Sequence, residues 1–167
     1  MLEVRLTAVR VDMQSNTPVV LLQELAGERS LPIFIGAPEA TAIAYAVQKV
    51  EVPRPMTHDL MRDVVQALGA TVTKIVVTEV HDGTYYALIH LERDGTPIVV
   101  SARPSDAIAL AARTDAPIFV ADDLMDSAGV VLEEEDDDDD DDDDPSEGLV
   151  DEFLEFLDNV RPEDFSP

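Results

Sequence analysis

Apolar and polar residues alternate loosely over residues 2–12, the period of a half-buried strand. A turn at Asn16-Thr17-Pro18 precedes a second apolar run at residues 19–25, and residues 26–28 turn into a third, RSLPIFIG. These three runs predict an antiparallel meander that ends at Gly36. The period then lengthens. Pro38 suits the first turn of a helix, Glu39 sits near its positive end, and Ala40, Ile43, Ala44 and Val47 fall on one face.

The segment EVPRP at 51–55 interrupts the pattern. Thr57 is the expected N-cap of the next helix and Gly69 its stop. Leu60, Met61, Val64, Val65 and Leu68 form the expected buried stripe, with His58, Asp59, Arg62, Asp63 and Gln66 on the other side. Three further strand runs follow, joined by HDGT and RDGT, and the two Asp-Gly pairs predict tight hairpins. VSARPSDAIALAAR at 100–113 passes from strand to an alanine-rich helix, narrow enough to lie close to a neighbour. APIFVA reads as a last short strand and DDLMDSAG as one short helical turn. The expected class is α+β: small, mixed, mostly antiparallel sheets packed with three main helices.

Beyond Leu132 the composition changes. Residues 133–144 are twelve consecutive carboxylates, a run whose self-repulsion predicts an extended, disordered linker. After it, Leu149, Phe153, Leu157 and Val160 fall on one face of a predicted amphipathic helix, with Ser146 as its cap. Three segments are therefore expected: a domain at 1–132, an acidic linker at 133–145, and a helix with tail at 146–167. The net charge of −25 belongs largely to the second and third, because residues 1–132 hold 17 acidic against 10 basic side chains. A general basic footprint for nucleic acid is missing, so any such contact must be local. Cysteine is absent, which removes disulfides, thiolate metal sites and cysteine nucleophiles. No leader-like or bilayer-spanning apolar run occurs, so the expected location is the cytoplasm, with no membrane partner.

Two helix starts carry the candidate chemistry. Each pairs an arginine before proline with a hydroxyl and an aspartate: Arg54, Thr57 and Asp59, then Arg103, Ser105 and Asp106. A residue before proline is held extended, and the helix that follows presents free N–H groups. An arginine fork beside such donors suits a phosphate oxygen. The other use of the same residues is structural, with Arg103 locking onto Asp106 and Arg54 onto Asp59. His58, Asp59, Arg62 and Asp63 form a second cluster at helical spacing. It reads as a general base beside carboxylates, as part of a hard-metal site completed by water, or as a solvated face with an Asp59–Arg62 pair. Glu39 is a further candidate carboxylate. Tyr85 and Tyr86 could stack a base but fit sheet packing better, and His81 and His90 are expected not to be ligands. No Walker loop, dinucleotide fingerprint, zinc spacing or nucleophile elbow is present.

LPIFIGAPEATAIA, RPMTHDL, HDGTYYALIHL and SARPSDAIALAAR with APIFV occur in an order that resembles the bifunctional nuclease family, over roughly residues 1–132. EFLEFLDNVRPEDF resembles the tail of its actinobacterial members. The resemblance implies a compact mixed α/β domain, self-associated as a dimer or higher homo-oligomer, that cleaves DNA and RNA. The motif positions carried over are Arg54, His58, Asp59, Arg103, Ser105 and Asp106.

On this reading His58, Asp59, Ser105 and Asp106 are the candidate catalytic residues. Arg54, Arg62 and Arg103 are the candidate phosphate ligands. Asp59 and Asp106 would hold Mg²⁺ or Mn²⁺. The alternative is a non-catalytic regulatory or assembly module in which the Arg/Asp pairs are structural. The aspartate run departs from the domain pattern. It would mimic nucleic acid against a basic groove, recruit a basic protein, or serve as a solubilising linker.

Overall fold

A computed structural model of the chain describes residues 1–13 and 15–131. The expected acidic linker and C-terminal helix lie outside the described residues. Among the described residues, eight strands and four helices follow one another in mixed order. Strands β1 (Leu2–Asp12), β2 (Thr17–Glu24) and β3 (Arg29–Phe34) precede helices α1 (Ala37–Val47) and α2 (Thr57–Ala67). Strands β4 (Thr71–His81), β5 (Thr84–Arg93) and β6 (Thr96–Ala102) lead into α3 (Pro104–Thr114). The short elements β7 (Ile118–Val120), α4 (Asp122–Ala128) and β8 (Val130–Val131) complete the described chain.

The class is α+β and mostly antiparallel, as expected, but the small sheets are one. Strand order is β6-β5-β4-β7-β1-β2-β3-β8. The two meanders form as predicted, and β7 joins them. It pairs parallel with β4 (Ile75 opposite Ile118) and antiparallel with β1 (Val4 opposite Ile118). Backbone bonds from Ile75 to Pro117 (3.0 Å) and from Ala121 to Val77 (3.0 Å) extend the seam. Three residues thus satisfy two edges that would otherwise stand unpaired inside the domain. The hairpins at Asp82-Gly83 and Asp94-Gly95 have positive φ at both central residues (49° and 77°, 51° and 76°). That is the type I′ geometry whose twist matches the strands it joins.

The core lies between one face of the sheet and the helices. Leu22, Leu31, Ile43, Ile75, Val77, Ile108, Leu110, Val120 and Met125 are fully buried there. In α3, residues 107–111 are all buried, three of them alanines, and α1 and α2 both pack against this helix. The narrow flank lets both neighbours approach closely. In α1, Ala40, Ile43 and Ala44 face the core as predicted, whereas Val47, in the last turn, is exposed.

Helix α2 departs most from expectation. Leu60, Val64 and Leu68 are exposed, Met61 and Val65 only partly reach the core, and His58 is its one buried residue. The apolar stripe is half outside because the polar start of the helix, not its middle, docks on α3. The cap also differs. Met56 is the N-cap and Thr57 the first helical residue, and Asp59 accepts the Met56 backbone N–H at 3.0 Å. Gly69 ends the helix as predicted, at φ 72°. Its N–H bonds Gln66 and that of Ala70 bonds Val65, the Schellman pattern.

Crowding of α3 by both neighbours makes its alanines sensitive to size. Ala109→Leu should overfill this layer and lower unfolding stability by about 1–3 kcal/mol in a urea titration.

Candidate functional site

Three helix starts converge on one group of charges. The Asp106 carboxylate, in the first turn of α3, lies 3.0 Å from His58 Nε2 in the first turn of α2. It also accepts Arg103 Nε at 2.7 Å and Arg103 Nη2 at 3.1 Å. Arg103 Nη2 lies 2.9 Å from Glu39 Oε1, in the first turn of α1. Glu39 folds back over Gly36, into space that a Cβ at that position would need, so the glycine makes room for this carboxylate. Asp106 and Glu39 each sit in the first turn of their helices, near the positive end of the helix dipole.

Seven residues, about two turns, further along α3 a second pair fastens the same two helices. Arg113 Nε donates to Asp59 Oδ1 at 2.6 Å, and its Nη1 donates to the Ala109 carbonyl at 2.9 Å. The Arg113 side chain is only 4% exposed and that of Asp59 17%. Consecutive residues of α2, His58 and Asp59, therefore grip two levels of α3.

Both carboxyls are held below their ordinary value. Burial alone would raise Asp106, but the hydrogen bonds from Arg103 and His58, with the Arg103 charge, outweigh it. Burial opposes ionisation of Asp59 too. The Arg113 bond, the Met56 N–H and the charges of Arg113 and Arg62 overcome it. An ionised Asp106 can only accept, so His58 Nε2 must be the donor, which leaves Nδ1 of a neutral ring with its lone pair. Arg103 is pushed up in turn, chiefly by its bond to Asp106.

The two Arg-Pro helix starts thus meet through His58 and Asp106, while Arg54 stays outside this cluster. It is exposed on the segment entering α2 and forms no ion pair with a described residue. The expected lock of Arg103 on Asp106 forms, but Asp59 pairs with Arg113 rather than with Arg54 or Arg62. Arg62 turns to Asp63 instead, with Nε at 2.9 Å and Nη2 at 2.8 Å. Ser105, beside Asp106 in the first turn of α3, is buried at 6% exposure. His81 is exposed, bonded to Glu79 at 2.9 Å and edge-on to Tyr86. His90 is half-buried in the sheet, and burial, then Lys74, lowers its pKa.

The residue that sequence reasoning passes over is Arg113. A basic residue in a last helical turn reads as a dipole complement, and nothing local points to its partner 54 positions away.

The carboxylates expected to hold Mg²⁺ or Mn²⁺ are each engaged by nitrogen donors, so a cation would share them with those bonds or displace them. Both oxygens of Asp59 and of Asp106 are taken by nitrogen donors, and Glu39 is held by Arg103. Among the described residues, no three His, Cys, Asp or Glu gather into a metal-binding group. No described helix is long and apolar enough to cross a membrane.

The depressed carboxyls set an acid limit. In the unfolded chain Asp59 and Asp106 titrate near 3.8, and in the fold they titrate lower. The unfolded chain takes up protons first, so this stabilisation is complete above that value and lost as pH falls below it. Acid unfolding followed by circular dichroism should be shallower in the Asp59→Asn, Asp106→Asn double variant. At neutral pH Asp59→Asn alone should cost about 3–5 kcal/mol in denaturant titration, because it strands the buried Arg113 charge.

Comparison with known proteins agrees with the motif pattern. The family model described as the bifunctional nuclease domain matches residues 20–133. An uncharacterized protein of Mycobacterium tuberculosis is 44% identical over 163 residues, covering 98% of this chain and 97% of its own length. Bifunctional nuclease 2 of Arabidopsis thaliana is 30% identical over 119 residues, 69% of this chain and 36% of that protein. Bifunctional nuclease 1 of Oryza sativa subsp. indica is 27% identical over 112 residues, 65% of this chain and 34% of that protein. The chain spans about a third of the length of these plant relatives. With the matched model covering most of the sheet and all four helices, this chain belongs to the bifunctional nuclease domain family.

Proposed function

We propose that the protein hydrolyses phosphodiester bonds in DNA or RNA at the junction of the three helix starts. The observation that carries this reading is the single carboxylate shared by a histidine and an arginine, His58 at 3.0 Å and Arg103 at 2.7 Å. The names of the plant relatives support it.

In this reading Asp106 holds His58 with Nδ1 free to take a proton from the attacking water, the logic of an oriented general base. Arg103 is 65% exposed on its side chain, and its Nη1 has no described partner. That edge of the guanidinium meets a phosphate oxygen and stabilises the charge that grows on it. Exposed Arg54 supplies a second cation from the entry to α2. Asp59 acts at one remove, by fixing the first turn of α2 and so the place of His58. Ser105, being buried, supports the start of α3 rather than touching substrate.

Purified full-length protein should cut single-stranded DNA or RNA oligonucleotides in a gel assay. His58→Gln, whose amide N–H can still reach Asp106, should slow cleavage by about 10²–10⁴-fold while circular dichroism shows the protein still folded. Absence of cleavage in the wild type, or full activity in the variant, rejects the reading.

One set of observations favours a second reading, a non-catalytic assembly module. Arg103 is offset by two carboxylates, His58 is 8% exposed, and apolar surface stands open along edge strand β6 at Ile98, Val99 and Val100. An uncovered apolar edge is a template for pairing with a second copy of the chain. Here sedimentation velocity should find a dimer or larger species that Val99→Lys splits into monomers, with no nuclease activity in either form. The aspartate run at 133–144 would then recruit a basic partner rather than repel a substrate.

A further inference from the structure

A cavity of about 300 Å³ has Asp59 in its wall but neither His58 nor Asp106. The ends of α1 and α3 and the start of α2 line it. Lys49, Arg62 and Arg113 bring three cationic groups to its wall, and Asp59 and Asp115 bring two carboxylates. The wall thus carries one more cation than carboxylate, in a domain whose acidic groups outnumber its basic ones.

Arg113 is the informative group. Its Nε and Nη1 are spent on Asp59 and the Ala109 carbonyl. Nη2 has no partner among the described residues, although the side chain is more than nine-tenths buried and lines the cavity. A guanidinium pinned at two nitrogens presents its third in a fixed direction and loses little freedom on binding an anion. Lys49 faces the same space without an ion pair to any described residue. It sits at φ 54°, in the turn that closes α1, where its N–H and that of Val50 satisfy the carbonyls of Ala46 and Tyr45. With those carbonyls capped locally, the end of α1 offers the cavity a cation rather than bare acceptors. Arg62, tied to Asp63, completes the three-sided arrangement.

We infer that this cavity binds the phosphate group of a small organic phosphate, with Arg113 Nη2 and Lys49 as its principal donors. A phosphate, with several oxygens and up to two charges, can use donors from three sides where a carboxylate can use two. Tyr45, Val50 and Val52 give the rest of the ligand an apolar wall. The volume lies at the low end of small-molecule pockets, which limits the ligand to about the size of a mononucleotide. This inference does not rest on hydrolysis. The cavity can hold its ligand whether or not His58 is a base.

The test is binding to full-length protein, by calorimetry and by amide shifts in nuclear magnetic resonance. The probes are inorganic phosphate and adenosine 5′-monophosphate, with acetate as the carboxylate control. Saturable binding of both phosphates, tighter than acetate, with shifts at Tyr45, Lys49 and Arg113, is the expected result. Lys49→Gln should weaken binding at least tenfold at an unchanged melting temperature. The Lys49→Gln, Arg62→Gln double variant should abolish it, so the test stands even if Arg113→Gln fails to fold. No saturable binding by the wild type overturns the inference, as do equal affinity for acetate and wild-type affinity in the variants.

Discussion

The attachment of α2 to α3 depends on carboxylates rather than on apolar burial. Leu60, Val64 and Leu68 contribute little to the core, so Met61 and Val65 are the apolar anchors that α2 offers it. What fixes the helix is two consecutive polar residues at its start, each gripping a charge on α3. Burying such pairs is costly, and well-packed apolar residues could have held the helix at least as well. The arrangement therefore favours definition over strength. A hydrogen bond specifies direction and partner, and the histidine and the arginines end up in one orientation.

That definition has a consequence for reactivity. A carboxylate held ionised by Arg103 and His58 cannot donate, so it leaves the imidazole one choice of tautomer. The same satisfaction restrains Arg103, since a phosphate oxygen must draw its free edge while two carboxylates hold the other. Charge-assisted bonds of this kind strengthen each other in a partly buried setting. The cluster is thus ordered before any ligand arrives. That order helps catalysis when the ligand adds to the bonds already made, and obstructs it when the ligand must break them.

Much of this fold can be read from local sequence, because local chemistry decides it. The Asp-Gly pairs define their hairpins, Gly69 stops α2, and Pro38 and Pro104 lie in first helical turns, each for a reason contained in a few residues. The joining of the sheets was not legible. Residues 118–120 read as a strand, but nothing in them names β1 and β4 as neighbours. The stripe on α2 misled for the same reason. Helical spacing identifies an apolar face but not whether the protein covers it, and here the polar face won the contact. Of the site, the pairing of Arg103 with Asp106 is readable at three residues' separation, while His58 with Asp106 and Asp59 with Arg113 need the tertiary fold.

Charge bears on the kind of ligand that either site can take. Over residues 1–132 acidic groups outnumber basic ones, and the twelve carboxylates at 133–144 deepen the imbalance. A long duplex would bring many phosphates against that surface, with few cations beyond the helix starts to repay them. On the readings proposed above, a short ligand would bring one or two phosphates to Arg54, Arg103 or the Lys49–Arg113 cavity and leave the remaining acidic surface in solvent. At ordinary ionic strength charges more than about 8–10 Å apart are largely screened, so attraction at contact counts and repulsion at a distance fades. On the proposed readings, local cations on an acidic domain would favour ligands whose charge is compact.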